Sequence, residues 1–143
     1  NDETRRFLLL QNASFLPLFR NDAEVKDGFE IDRFEPLAPG GTDAAAVADI
    51  FSGANDDKMA AARKTFSYLQ TGGDPKAFMD TAQRLIYMKG TDAHDYKFST
   101  AVIEDYQHLS PAVRNRFLAA SVYWLKSSAD RDNPLVARSR AAL

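Results

Sequence analysis

The hydrophobic positions follow different patterns on the two sides of residue 41. From Thr42 onward, apolar residues recur at spacings of three and four, which is the period of an amphipathic α-helix. Two stripes are especially clear: Met59, Ala62, Phe66 and Leu69, then Phe78, Met79, Ala82, Leu85 and Ile86. The pattern predicts an all-α domain over residues 42–143.

Capping residues mark where these helices begin. Three predicted starts place a capping side chain before a proline at the first helical position: Asp74-Pro75, Ser110-Pro111 and Asn133-Pro134. Thr42, Asn55 and Thr91 are the predicted caps of the other three helices. Because the caps agree with the hydrophobic period, we expect a bundle or orthogonal array of about five to six helices.

The helix that begins at Pro111 is expected to supply much of the core. Its largely inward residues are predicted to be Val113, Phe117, Ala120, Val122, Trp124 and Leu125. Phe117 and Trp124 are seven positions apart, so a regular helix would place them on one face. We therefore expect both aromatic side chains in the main core.

Residues 1–41 differ from the rest of the chain. Phe7 to Phe19 are strongly apolar, yet Leu8 to Leu10 do not alternate and Pro17 interrupts a long helix. The segment is therefore predicted to be an extended apolar arm with room for one short helix or strand. It ends in a linker rich in proline and glycine up to Gly41. We expect residues 7–19 to be buried, within the chain or against a protein partner.

Composition narrows the possible functions. Hydrophobic residues are 45% and charged residues 27%, which is typical of a soluble globular domain. The formal charge is −2, which disfavours binding to nucleic-acid phosphates. The absence of cysteine excludes disulfides, zinc ribbons, iron–sulfur clusters and thiol nucleophiles. No apolar run reaches the roughly 20 residues of a membrane span. The first residue is Asn1, so we expect that a further segment was removed or not included.

The residues that could take part in catalysis or metal binding are concentrated in the segment from Gly90 to His108. This segment contains both histidines of the chain. On one continuous helix, His94, Lys97, Asp105 and His108 would share a face of roughly 80°, beside the apolar stripe. This arrangement suggests acid–base catalysis by His94 or His108, with Asp95 or Asp105 as the orienting carboxylate. Lys97 would complete the predicted catalytic group.

The same stretch also contains a possible metal site. Asp105 and His108 are three positions apart, like the carboxylate–histidine pairs of di-iron bundles, and Glu104 is four positions from His108. His94 and His108 would be about 21 Å apart on one helix, so a single ion could not bind both. A purely structural role explains the same residues, because acids suit the first turn of a helix and a histidine suits the last.

Two functions are therefore predicted. The first is a non-catalytic helical accessory or interaction subunit that associates with a protein partner, or with itself, through residues 7–19. The alternative is an enzyme, or a subunit of one, with an acid–base or metal site between His94 and His108.

Overall fold

A computed structural model describes residues 1–22, 30, 31, 33, 35–37 and 40–143 of the chain, without the side chains of residues 19–22. The chain divides into two compact units, residues 1–30 and residues 31–143. The described residues form seven helices and no strand, so the all-α prediction is confirmed.

The first unit contains α1, which spans Asp2–Asp22. The second unit contains six helices, which are α2 (Ala44–Gly53), α3 (Lys58–Gln70), α4 (Pro75–Lys89), α5 (Ala93–His108), α6 (Pro111–Ser121) and α7 (Pro134–Ala142). The structure therefore has one helix more than the predicted maximum of six. The additional helix is α1, which lies in the segment that was expected to be extended.

The prediction of an extended N-terminal arm was wrong, because this segment is helical. Asn1 caps the helix, and its Oδ1 accepts hydrogen bonds from the N–H groups of Glu3 at 2.9 Å and Thr4 at 3.1 Å. Pro17 lies inside the helix rather than ending it. Consecutive leucines fit a helix here because its apolar face is wide. The sequence prediction had compared the segment with the narrow apolar stripe of an ordinary amphipathic helix.

The apolar residues of α1 were expected to be buried within the chain or against a partner, and the described residues of the chain do not bury them. Its large apolar side chains are between 53% and 69% exposed: Phe7, Leu8, Leu9, Leu10, Phe15, Leu16 and Leu18. The side chain of Phe19 lies outside the described residues. Burial of α1 against another molecule stays a prediction.

Three of the predicted caps are displaced by one or two residues. The capping side chains are Asp43, Asp57 and Asp92 in place of Thr42, Asn55 and Thr91. In each case an aspartate stands nearer the first helical residue, where its carboxylate reaches a free N–H of the first turn. Asp74 and Asn133 cap α4 and α7 as predicted, whereas Ser110 makes no capping hydrogen bond with its side chain.

The core of the second unit lies where α2, α3 and α4 meet α5 and α6. The rings of Phe51 on α2 and Phe78 on α4 stack with their centroids 4.9 Å apart. The predicted stripes supply much of this core, because Phe66, Leu69, Ala82, Leu85 and Ile86 are all buried. The chain turns sharply between α3 and α4, where Gly73 packs so close to the Tyr68 ring that a Cβ would stand 2.5 Å from it.

The placement of Trp124 was predicted wrongly. Its side chain is 74% exposed, while Phe117 is half-buried against the core. The reason is that α6 ends at Ser121 and the following N–H groups, including those of Val122 and Trp124, bond to oxygens three residues back. This tighter turn changes the direction of later side chains. Val113 is also exposed, whereas Val122 and Leu125 are buried as expected.

A polar loop over residues 126–133, which we call the staple loop, joins several helix ends. The Ser127 hydroxyl and the Ser128 N–H donate to the Phe51 carbonyl of α2, at 2.7 and 3.0 Å. The Asn133 side chain donates to the Tyr87 carbonyl of α4 at 2.9 Å. Carbonyls at helix C-termini lack partners within the helix, so the staple loop supplies donors where they are needed.

The core assignment predicts unequal effects for two aromatic truncations. Phe78→Ala should lower the free energy of unfolding by about 3–5 kcal/mol, because the side chain is fully buried against Phe51. Trp124→Ala should cost less than about 1 kcal/mol, because its ring is mostly in solvent. Urea titration of the two variants measures both values, and a larger loss for Trp124→Ala would refute this core.

Candidate functional site

His94 lies in the first turn of α5 on open surface. Its side chain is 93% exposed, and Nδ1 is 3.5 Å from Oδ1 of Asp92. The same Asp92 oxygen caps the helix by accepting from the His94 N–H at 2.7 Å and from the Asp95 N–H at 3.3 Å. A carboxylate therefore stands beside the imidazole, but the exposed ring does not lie in a cleft that would exclude water from a substrate.

Asp95 is directed to a different partner. Its side chain is only 14% exposed, and Oδ2 pairs with Nζ of Lys126 at 3.0 Å. The same oxygen accepts a hydrogen bond from the Thr91 N–H at 2.9 Å. The structure therefore joins Asp95 to the staple loop rather than to His94, the residue it was expected to orient.

These contacts lower the pKa of Asp95. Burial by itself would raise the pKa, because it disfavours the charged carboxylate. The hydrogen bond from Thr91 and the ion pair with Lys126 act in the opposite direction and outweigh burial. The pKa therefore lies below its ordinary value of 3.8, and the carboxylate is charged at neutral pH.

The other predicted site residues are spread along the surface of α5. Lys97, Glu104, Asp105 and His108 are all exposed. The helix is continuous from Ala93 to His108, so the two histidines are about 21 Å apart along its axis. Within the described part of the chain, no group of three or more His, Asp or Glu side chains could hold a metal ion. Glu104, Asp105 and His108 are therefore not assembled as ligands.

The sequence did not predict two lysines whose side chains form ion pairs between distant parts of the fold. Lys126 anchors Asp95, and Lys89 is buried at the end of α4. For Lys89 a signal was present, because it lies three and four positions after Ile86 and Leu85 and so continues the buried stripe. The partners of both lysines are distant in sequence, which no local pattern reveals.

A more extensive feature is the apolar face of α1. With about 100° per residue, six exposed side chains fall within an arc of roughly 200°. They are Phe7, Leu8, Leu9, Phe15, Leu16 and Leu18. Leu10 lies outside this arc, about 60° from its nearer edge at Phe7. We call these six residues the α1 face.

Two amides interrupt the α1 face. Gln11 and Asn12 fall inside the same arc, so hydrogen-bonding groups lie among its apolar side chains. Along α1 as a whole, three arginines balance three acidic residues, which are Asp2, Glu3 and Asp22. Over residues 7–18 the helix is therefore apolar on one face, with two polar positions in that face, while Thr4 and Arg5 fall in the same arc one turn earlier. The helix as a whole carries no net side-chain charge.

Among the residues that the structure describes, no helix combines the length and apolar character needed to cross a membrane. Comparison of the chain with protein-family models, curated proteins and solved structures gives no match.

The environment of Asp95 predicts a pH-dependent loss in the Asp95→Asn variant. At pH 7 this variant should be less stable by about 1–2 kcal/mol, because the charged contact with the half-buried Lys126 is lost. The folded pKa lies below the unfolded pKa, so the contribution of the carboxylate is present above the unfolded value and disappears as pH falls through the folded value. Denaturant titrations from pH 7 to pH 3 should show this difference shrinking.

The control is Asp105→Asn on the same helix, where the side chain is exposed. This variant removes the same charge and should change stability by less than about 0.5 kcal/mol. Equal effects of the two substitutions, or an Asp95→Asn difference that grows at low pH, would contradict the assigned role of Asp95.

Proposed function

We propose that this chain is a non-catalytic interaction subunit that associates with protein through the α1 face. The observation that supports the proposal is the exposure of all six large apolar residues of that face. Each such side chain gains roughly 1.5–3 kcal/mol when it is removed from water. A contiguous face of this size is typical of a helix that packs against another molecule.

The polar positions of α1 favour a protein over a lipid surface as the partner. Gln11 and Asn12 lie within the α1 face and need hydrogen-bond partners when they are buried, which acyl chains do not offer. Helices that lie on lipid surfaces also carry many lysines and arginines on the polar side. The side-chain charge of α1 is instead balanced.

The open surface around His94 supports the same choice over an enzyme. A catalytic histidine needs an orienting acceptor and a substrate held at its other nitrogen. Asp92 stands beside His94, but the carboxylate of Asp95 is engaged by Lys126, and the histidine ring is exposed. The surface of α5 carries exposed charged side chains but no cleft that encloses them, whereas α1 exposes a large apolar area.

In the purified chain, the partner available to the α1 face is a second copy. We therefore expect reversible, concentration-dependent association, which sedimentation equilibrium measures between about 10 µM and 1 mM. The double variant Leu8→Glu, Phe15→Glu should shift the association constant at least tenfold towards monomer. Both side chains lie near the middle of the arc, where a charge would have to be buried.

Leu10→Glu is the matched control, because it places the same charge on the same helix outside the α1 face. It should leave association within about twofold of the unmodified chain. An unmodified chain that stays monomeric at 1 mM would contradict the proposal, and so would equal losses from Leu10→Glu and the double variant. A third outcome would identify a lipid surface as the partner instead. In that case the unmodified chain would not self-associate but would bind neutral or anionic phospholipid vesicles, and the double variant would lose this binding.

A further inference from the structure

A cavity of about 210 Å³ lies between α2 and α4 in the second unit of the chain. Four residues of α2, four of α4 and Ser128 of the staple loop line it. Phe51 and Leu85 are buried and form its apolar interior, while Ala48 is exposed at its rim. Small side chains on both helices leave this space open, because three of the nine lining residues are alanines: Ala44 and Ala48 on α2 and Ala77 on α4.

The volume sets the size of a ligand. Roughly 150 Å³ of apolar cavity is enough to hold a benzene molecule, whereas pockets for drug-sized ligands begin at about 300 Å³. The space between α2 and α4 therefore fits one phenyl ring or a branched alkyl group of similar size. It does not enclose a nucleotide or a sugar chain.

The polar groups at the cavity set the charge of a ligand. Arg84 lines the cavity with an exposed side chain, and it has no hydrogen-bond or ion-pair partner among the described residues. Thr81 and Ser128 add hydroxyl groups, and the described lining includes no acidic side chain. A guanidinium group binds a carboxylate through two parallel hydrogen bonds, which makes a carboxylate the complementary ligand group.

We propose that this cavity binds a small monocarboxylate whose phenyl-sized apolar group enters between α2 and α4 while its carboxylate pairs with Arg84. The apolar interior and the single cation at the exposed side match the two halves of such a molecule. The cavity and the α1 face share no residue, and neither proposal depends on the other.

The test uses phenylacetate as the probe and phenylacetamide as its neutral counterpart. Titration of the 143-residue chain is followed by the amide resonances of α2 and α4 in two-dimensional NMR spectra. We expect saturable shifts around Phe51 and Leu85 with a Kd of about 1 mM for the acid, in keeping with a ligand of this size. The amide should bind about tenfold more weakly, because it lacks the charge that pairs with Arg84.

Two variants separate the roles of charge and shape. Arg84→Gln should weaken phenylacetate binding about tenfold and leave phenylacetamide binding within about twofold. Ala48→Leu should weaken the binding of both compounds, because the larger side chain occupies the rim of the cavity. Arg138→Gln is the control, since Arg138 is an exposed arginine of α7 that does not line the cavity. It should bind both compounds like the unmodified chain.

Several results would overturn the proposal. One is the absence of saturable shifts up to about 20 mM phenylacetate in the folded chain. Equal affinity for the acid and the amide, or equal effects of Arg84→Gln and Arg138→Gln, would show that the guanidinium does not select the carboxylate. Shifts that saturate outside α2, α4 and the staple loop would place the binding elsewhere. The circular dichroism spectrum of each variant establishes that it is folded before these comparisons are made.

Discussion

The buried ammonium group of Lys89 is the constraint on which the second unit of the chain depends. The residue is 8% exposed at the end of α4, and its Nζ donates to the Asp130 carbonyl and pairs with Asp132 Oδ1 at 3.0 Å. A buried charge without such partners costs several kcal/mol, so the staple loop has to stay where these oxygens meet the lysine. The loop in turn holds the ends of α2 and α4 and, through Lys126, the start of α5. Ser128, whose N–H donates to the Phe51 carbonyl, also contributes one wall of the cavity.

Features set by local chemistry were predictable from the sequence. The buried stripes of α3 and α4 follow from the period of the helix, and Asp74 and Asn133 were identified as caps because each precedes a proline.

The wrong predictions have physical causes as well. Trp124 was placed by extending α6 beyond Ser121, where the backbone tightens. For α1, a narrow stripe was sought where the helix has a wide apolar face. The staple loop was not foreseen, because its hydrogen bonds join residues more than 40 positions apart.

The candidate site shows that nearness in sequence is a weak guide to a functional arrangement. Both histidines fall in one helix, but the straight path of α5 separates them, and the carboxylate of Asp95 is engaged by a lysine of the staple loop. The groups that we propose for recognition are of other kinds. One is the α1 face, and the other is the cavity beside Arg84. The first followed in outline from the hydrophobic content of residues 7–19, while the second requires two helices whose positions no local pattern gives.

Native-state hydrogen exchange tests the central role of the staple loop most directly. The Ser128 N–H donates to Phe51 O at 3.0 Å, and the Asn133 N–H donates to Met88 O at 2.7 Å. If the loop holds the helix ends together, these two amides should exchange only when the whole unit unfolds, with the same opening free energy as the slowest amides of α4. Exchange through a local opening that costs at least about 2 kcal/mol less than global unfolding would contradict this account, because the loop could then detach while the helices stayed packed.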